Sequence, residues 1–195
     1  MTIELKLKDA FDFLKPAGNG NIDNLKGDKY GCITYGDCLK QQYTTFIRKP
    51  KRYTDEGTLL QVGDILIPTA NLPKGELQNI AYMFCSDVDC VAGEGLHILR
   101  PKIEIDPMYV CYQLNGTAPK KRILSLQVGM TIKNLYAKDL GEFIIRMPIK
   151  FDTEETQKVN NIMIALEEKL ELEKDILAKY KSQKDYFLQN MFVLS

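Results

Sequence analysis

Histidine is almost missing from this chain of 195 residues, which holds a single one, His97, between Leu96 and Ile98. A general base needs an oriented proton path, and a lone imidazole in an apolar stretch has no acidic or cysteine neighbour to supply it, so His97 reads as a core or edge residue. Long apolar runs are missing too. No stretch approaches the roughly 18 consecutive apolar residues of a membrane span, and no apolar N-terminal run follows basic residues. The expectation is a cytoplasmic protein with neither signal peptide nor membrane partner. Net charge is also absent, since 26 Lys and Arg balance 26 Asp and Glu. This argues against a protein whose whole task is to coat nucleic acid, so any basic surface must be a local patch.

Several chemical signatures are lacking as well. There is no GxxxxGK[ST] phosphate loop, no GxGxxG turn and no nucleophile elbow. Asn71-Leu72-Pro73-Lys74 is not the Asn-Pro-Pro-aromatic tetrapeptide with which an amino-methyltransferase holds a target base. The five cysteines, Cys32, Cys38, Cys85, Cys90 and Cys111, are an odd number, which suits reduced thiols better than a disulfide framework. Their C-x5-C and C-x4-C spacings are looser than most zinc knuckles, so buried apolar thiols are the expectation, with no metal or cofactor. Asp87 and Asp89 read as solvated turn residues. No enzyme signature remains.

What is present begins at the C-terminal end. From Asp152 onward there is no Gly or Pro. Val159, Met163, Leu166, Leu170, Glu173, Leu177, Tyr180, Lys184, Phe187 and Met191 alternate spacings of 4 and 3, and eight of these ten are apolar. That repeat is the seam of a left-handed coiled coil. The spacing predicts a helix over about Thr153 to Phe192, capped by Asp152 or Thr153, roughly 60 Å long and too long for one head to cover. Its eight apolar positions (Val159, Met163, Leu166, Leu170, Leu177, Tyr180, Phe187 and Met191) are the predicted dimerisation residues.

The preceding residues read as α+β, with a β-rich core and short helices. Strands are expected at 3–7, 33–35, 65–68, 80–85, 88–91, 96–99 and 143–148. A short helix is expected from Asp9 to Leu14, another after the Asp106-Pro107 cap, and a third over Pro119 to Gln127. Two basic clusters stand out: Arg48, Lys49, Lys51 and Arg52 beside Tyr53, and Lys120, Lys121 and Arg122. Such clusters supply the charge that phosphate contacts need. Gln41, Gln42, Thr69, Asn71 and Thr131, with Lys74 in the same polar loop as Asn71, carry groups that can read base edges or phosphates. Loop-borne cations plus a dimerising helix point to double-stranded DNA. A coiled-coil adaptor with a protein-binding head is the alternative, and an isolated nuclease or methyltransferase a third reading that the missing motifs disfavour.

The order of segments resembles the specificity subunits of type I restriction-modification systems, in half-length form. Val62-Gly63-Asp64-Ile65-Leu66-Ile67 is similar to the family's Gly-Asp-apolar strand, and Leu99-Arg100-Pro101 with Asp106-Pro107-Met108-Tyr109-Val110 to its entry into a helix. Gly129-Met130-Thr131, Leu135, Asp139-Leu140 and Ile144 to Pro148 resemble the segment that closes its recognition domain. Thr153 to Gln157 and Tyr186 to Phe192 resemble the ends of its helix. Ile149 stands where the family has a second Pro, and Thr156 separates a Glu and Gln that are adjacent there. The resemblance implies a target recognition domain over 1–151 and a helical spacer over 152–195. It also implies no catalysis by this chain, and methyltransferase and restriction subunits as partners. With one helix, the chain is expected to pair antiparallel with a second copy or with another specificity subunit. An axis near residues 178–179 would then set Glu173 opposite Lys184 on a bipartite site.

Overall fold

The computed structural model describes residues 2–17, 27–41, 44–47, 50, 52–75, 78–148 and 153–191. In chain order the elements are β1 (Thr2–Lys6), α1 (Leu7–Ala10), β2 (Phe11–Leu14), β3 (Tyr30–Ile33), α2 (Tyr35–Lys40), β4 (Phe46–Ile47), β5 (Arg52–Thr54) and β6 (Thr58–Leu59). Then follow β7 (Ile65–Pro68), β8 (Tyr82–Phe84), β9 (Cys90–Ala92), β10 (Leu96–Pro101), α3 (Pro107–Asn115), α4 (Thr117–Ser125), α5 (Ala137–Gly141), β11 (Ile144–Pro148) and the long α6 (Thr153–Met191). The fold class is α+β.

A five-stranded sheet, ordered β2-β10-β7-β8-β4, forms the middle of the head. Its central strands are covered on both faces, which explains why Ile65-Leu66-Ile67-Pro68 is apolar throughout and wholly buried. Side chains of a strand alternate between faces. Ile65, Ile67, Met83 and Leu99 accordingly join Val110, Cys111, Leu114 and Ile123 of α3 and α4 in one core. Leu66, Tyr82, Phe84, Leu96 and Ile98 join Ile33, Cys38, Cys90 and Ala92 in a second core, under a four-stranded sheet ordered β5-β3-β9-β6. The thiols of Cys32, Cys38, Cys90 and Cys111 are buried, and desolvation pushes that of Cys32 up to about 11. β1 and β11 pair antiparallel as a separate ribbon. The outer edge of that ribbon is closed by Gln113, whose side-chain amide accepts from Arg146 N–H at 2.7 Å and donates to Arg146 O at 2.7 Å.

The structure departs from the expected elements in two places. Phe11 to Leu14 is a strand rather than the end of a helix, because Phe11–Leu14 pairs with Ile98–Pro101 of β10, a partner far away in sequence. Thr34 opens α2 rather than lying within a strand. Its hydroxyl accepts from Asp37 N–H at 3.3 Å, while the Asp37 carboxylate accepts from Thr34 N–H at 3.0 Å, a capping box. The Asp106 cap is observed, its Oδ1 accepting from Met108 N–H at 2.9 Å. Asp152 lies outside the described residues.

α6 docks its first turns on the head and then leaves it. Ile164 packs on the core that holds α3. Asn160 Nδ2 donates to Asp106 Oδ2 at 2.7 Å, and Glu167, 6% exposed, accepts from Thr45 N–H at 2.9 Å and Thr45 Oγ1 at 2.5 Å. Positions 160, 164 and 167 share one face, so two polar pins about two turns apart hold the helix at a set angle. From residue 168 to 191 every residue is exposed, a projecting rod of about 36 Å at 1.5 Å per residue.

Candidate nucleic-acid interface

Two loops meet beyond the end of β7. The first is residues 69–75, which continue from β7, and the second is residues 127–136, between α4 and α5. Thr69 N–H donates to Gly95 O at 2.8 Å and Thr69 O accepts from Leu135 N–H at 2.6 Å. Asn71 sits at φ 47°, the left-handed region that Asn tolerates better than most residues. There it grips the backbone of Lys133 twice: Asn71 N–H donates to Lys133 O at 2.9 Å, and Asn71 Oδ1 accepts from Lys133 N–H at 3.2 Å.

The second loop also closes on itself. Val128 and Asn134 exchange both backbone hydrogen bonds, at 2.8 and 2.9 Å, and Gln127 Nε2 donates to Lys133 O at 3.0 Å. Gly129, at φ +133°, makes the turn, and a Cβ there would lie 2.0 Å from Ile132 O. Val128, Met130, Thr131, Ile132 and Lys133 project outward, Met130 with 100% of its surface exposed.

An open cavity of about 590 Å³ adjoins the loops, lined in part by Thr69, Glu94, His97, Asn134, Tyr136 and Lys138. His97 Nε2 lies 2.8 Å from Leu135 O. A carbonyl only accepts, so Nε2 carries the hydrogen. Desolvation lowers the pKa of His97 below its ordinary 6.5, against the opposing pull of that carbonyl. His97 therefore fastens the second loop.

Thr69, Asn71, Lys74 and Thr131 thus come together on the two loops, although Thr69 and Asn71 spend backbone or side-chain groups on joining them. Lys74 and Thr131 are exposed. The second basic cluster splits. Lys121 and Arg122 are exposed, with the Arg122 guanidinium 5.2 Å from the centre of the Phe143 ring. Lys120 is only 3% exposed and donates to Gly75 O at 2.5 Å and to Gln78 O, so its ammonium ties α4 to the end of the first loop. Gln41 is likewise turned inward, its Nε2 donating to Thr44 Oγ1 at 2.6 Å and to Phe46 O. Arg52 and Tyr53 are exposed on β5, while Gln42, Arg48, Lys49 and Lys51 lie outside the described residues. The residues not singled out from sequence are Gln127, Met130, Lys133 and Lys138. One sequence signal does point to them: from Pro107 to Lys138 there is no Asp or Glu, against five Lys and Arg.

Behind the loops, two of the quoted motifs join in one ion pair. Arg100 donates through Nε to Asp64 Oδ1 at 2.9 Å and through Nη2 to Asp64 Oδ2 at 2.7 Å, a fork-on-carboxylate contact. Hydrogen bonding to Asp64 pushes the guanidinium pKa up, and Asp64 Oδ2 also accepts from Gln61 N–H at 2.8 Å. The Gly-Asp turn before β7 is thereby locked to the Arg of β10.

On α6 the predicted dimerisation residues Val159, Leu166, Leu170, Leu177, Tyr180, Phe187 and Met191 are all exposed, and Met163 is half-buried. At about 100° per residue, their stripe lies roughly a third of a turn around the helix from the face held by Asn160, Ile164 and Glu167. The head therefore leaves the seam open.

The head carries two cores and two joined loops beyond the end of β7, α6 leaves it as a long exposed arm, and among the described residues no group of three or more His, Cys, Asp or Glu is placed to hold a metal ion. The sequence profile of the family described as "Type I restriction modification DNA specificity domain" matches residues 5–181, and the chain belongs to that family of non-catalytic DNA-recognition components. Its fold is similar to that of a type I restriction-modification S subunit from M. genitalium, with TM-score 0.62 and 19% identity, covering 100% of this chain and 46% of that one. A structure described as showing complex assembly and conformational transition of the type I R-M system gives TM-score 0.61 and 16% identity over 95% of this chain and 43% of that one. The HsdS subunit from Thermoanaerobacter tengcongensis gives TM-score 0.50 and 15% identity over 97% and 42%. The chain spans less than half the length of each of these structures. No curated protein matches the sequence. No helix among the described residues is long and apolar enough to cross a membrane.

Proposed function

We propose that the chain acts as a half-length specificity subunit: residues 1–151 recognise one half-site on double-stranded DNA, and residues 152–195 pair antiparallel with a second copy or another specificity subunit. The pair then recognises a bipartite site with inverted half-sites and recruits methyltransferase and restriction subunits. The observation that carries this reading is the bare seam of α6 on a helix that the head holds by a different face. An axis between residues 178 and 179 sets Leu166 against Met191, Leu170 against Phe187, Leu177 against Tyr180 and Glu173 against Lys184, so apolar meets apolar and the two charges meet each other. Acidic Glu168, Glu171, Glu173 and Asp175 then run beside Lys179, Lys181 and Lys184 of the partner.

In the head, the exposed cations Lys74, Lys121, Arg122, Lys133 and Lys138 are available to phosphates, and Thr131 stands at the tip of the second loop. Band shifts of the chain with its host's methyltransferase subunits are expected to show sequence-specific binding. Affinity should fall steeply as salt rises, because each phosphate contact releases counterions. Equal affinity for random duplexes, or binding indifferent to salt, would sink the reading in favour of a protein-binding head.

A further inference from the structure

The loop closed by Val128 and Asn134 presents apolar side chains to water at its tip. Met130 is 100% exposed, and Val128 and Ile132 are each more than half exposed. A loop that merely connects two helices has no need of such a tip, and this one is held in shape by Asn71, Gln127 and the Val128–Asn134 bridge. Its setting is cationic. It lies in the run from Pro107 to Lys138 that has no carboxylate, and Lys133 follows the tip directly. Among the described residues, Glu94 is the one carboxylate lining the adjoining cavity, where Lys15 and Lys138 also stand.

A rigid, narrow, apolar tip with cations behind it fits a polyanion that carries apolar groups at the floor of a groove. Duplex DNA is such a polyanion, and in its major groove thymine alone among the four bases offers a methyl group. We propose that the 128–132 loop enters the major groove and that Met130 packs against the 5-methyl group of a thymine, with Lys133 reaching the adjacent phosphate. Met130 is then a specificity-determining residue for one A·T position. The unbranched, polarisable thioether suits a contact that must adapt to the tilt of a base pair. This inference rests on the DNA-recognition reading above and adds to it the residue and the chemical group it reads.

The experiment uses the full chain assembled with its host's methyltransferase subunits. Sequences are selected from a random duplex library, and the selected duplex is then titrated with uracil in place of thymine at each position in turn, which removes only the methyl group. For the wild type, uracil at one position is expected to weaken binding about four-fold, the loss that matches one buried methyl group. Met130→Ala should bind the thymine duplex at least that much more weakly and no longer distinguish uracil at that position, while Met130→Leu should keep the distinction. The Met130 side chain is fully exposed, so an unchanged unfolding midpoint for both variants confirms that folding is intact. If Met130→Ala selects the same duplex with wild-type affinity, or still discriminates thymine from uracil as the wild type does, the assignment is overturned. A wild-type chain that selects no consensus at all would instead overturn the recognition reading itself.

Discussion

At Asp64 a carboxylate whose side chain is 1% exposed is held by the Arg100 fork and by Gln61 N–H. Removing it leaves the guanidinium and a backbone donor without that partner. Arg100 keeps about a quarter of its side-chain surface in water, which softens the loss. Asp64→Ala is therefore expected to destabilise the chain by about 2–3 kcal/mol, toward the low end for breaking a buried pair, and to lower the urea midpoint. An unchanged midpoint would show that the pair contributes nothing net. His97 gives a pH signature. Its folded pKa lies below 6.5, so on acidification the unfolded chain takes up the proton first. The stability it contributes is full above about pH 6.5 and is lost as pH falls through the folded value. Thermal midpoints at pH 7.5 and 5.5 should fall further for the wild type than for His97→Gln, and equal falls would contradict this. Residues also show what composition hides. Lys120, Lys121 and Arg122 read as one cluster, yet neighbours on a helix point about 100° apart, so the first is buried while the other two face water. Asn71 stands out in the sequence only as a polar loop residue that could read a base edge, whereas its positive φ and its grip on Lys133 depend on a partner more than sixty positions away.

Among the elements, those with local signals were the legible ones. The Asp106-Pro107 cap, the Gly-Asp turn before β7 and the heptads of α6 each carry their cause within a few residues. β2 does not, since its state is decided by pairing with β10. α2 was missed because Gly36-Asp37 has the look of a turn, whereas Asp37 is the second half of the Thr34 capping box. The docking of α6 was also hidden, because Asn160 and Glu167 are polar and a hydrophobic seam search passes over them. Glu167→Ala would leave Thr45 N–H without its acceptor in the interior, at a cost of about 2 kcal/mol. Hydrogen exchange should accelerate at residues 44–47 and 157–168 while β7 and β10 stay protected. Unaltered exchange at Thr45 would mean that the pin is not holding the arm.

For the whole molecule, the expected pairing is a matter of register. Glu173→Lys places like charges opposite one another across the proposed axis and should shift sedimentation toward the monomer, and adding Lys184→Glu should restore the dimer. A dimer unmoved by the single change removes that register. The arm has a further consequence in terms of mass action. A solitary helix of some two dozen residues with a bare apolar stripe is marginal in water, because its helicity depends on packing that one chain does not supply. The helix beyond residue 168 should therefore be a gauge of association. Ellipticity at 222 nm per residue is expected to rise with protein concentration as partners cover the stripe, while amide hydrogen exchange in β7 and β10 of the head stays constant. Dilution would then unravel the arm and leave the head folded, coupling the reach of the protein to its own abundance.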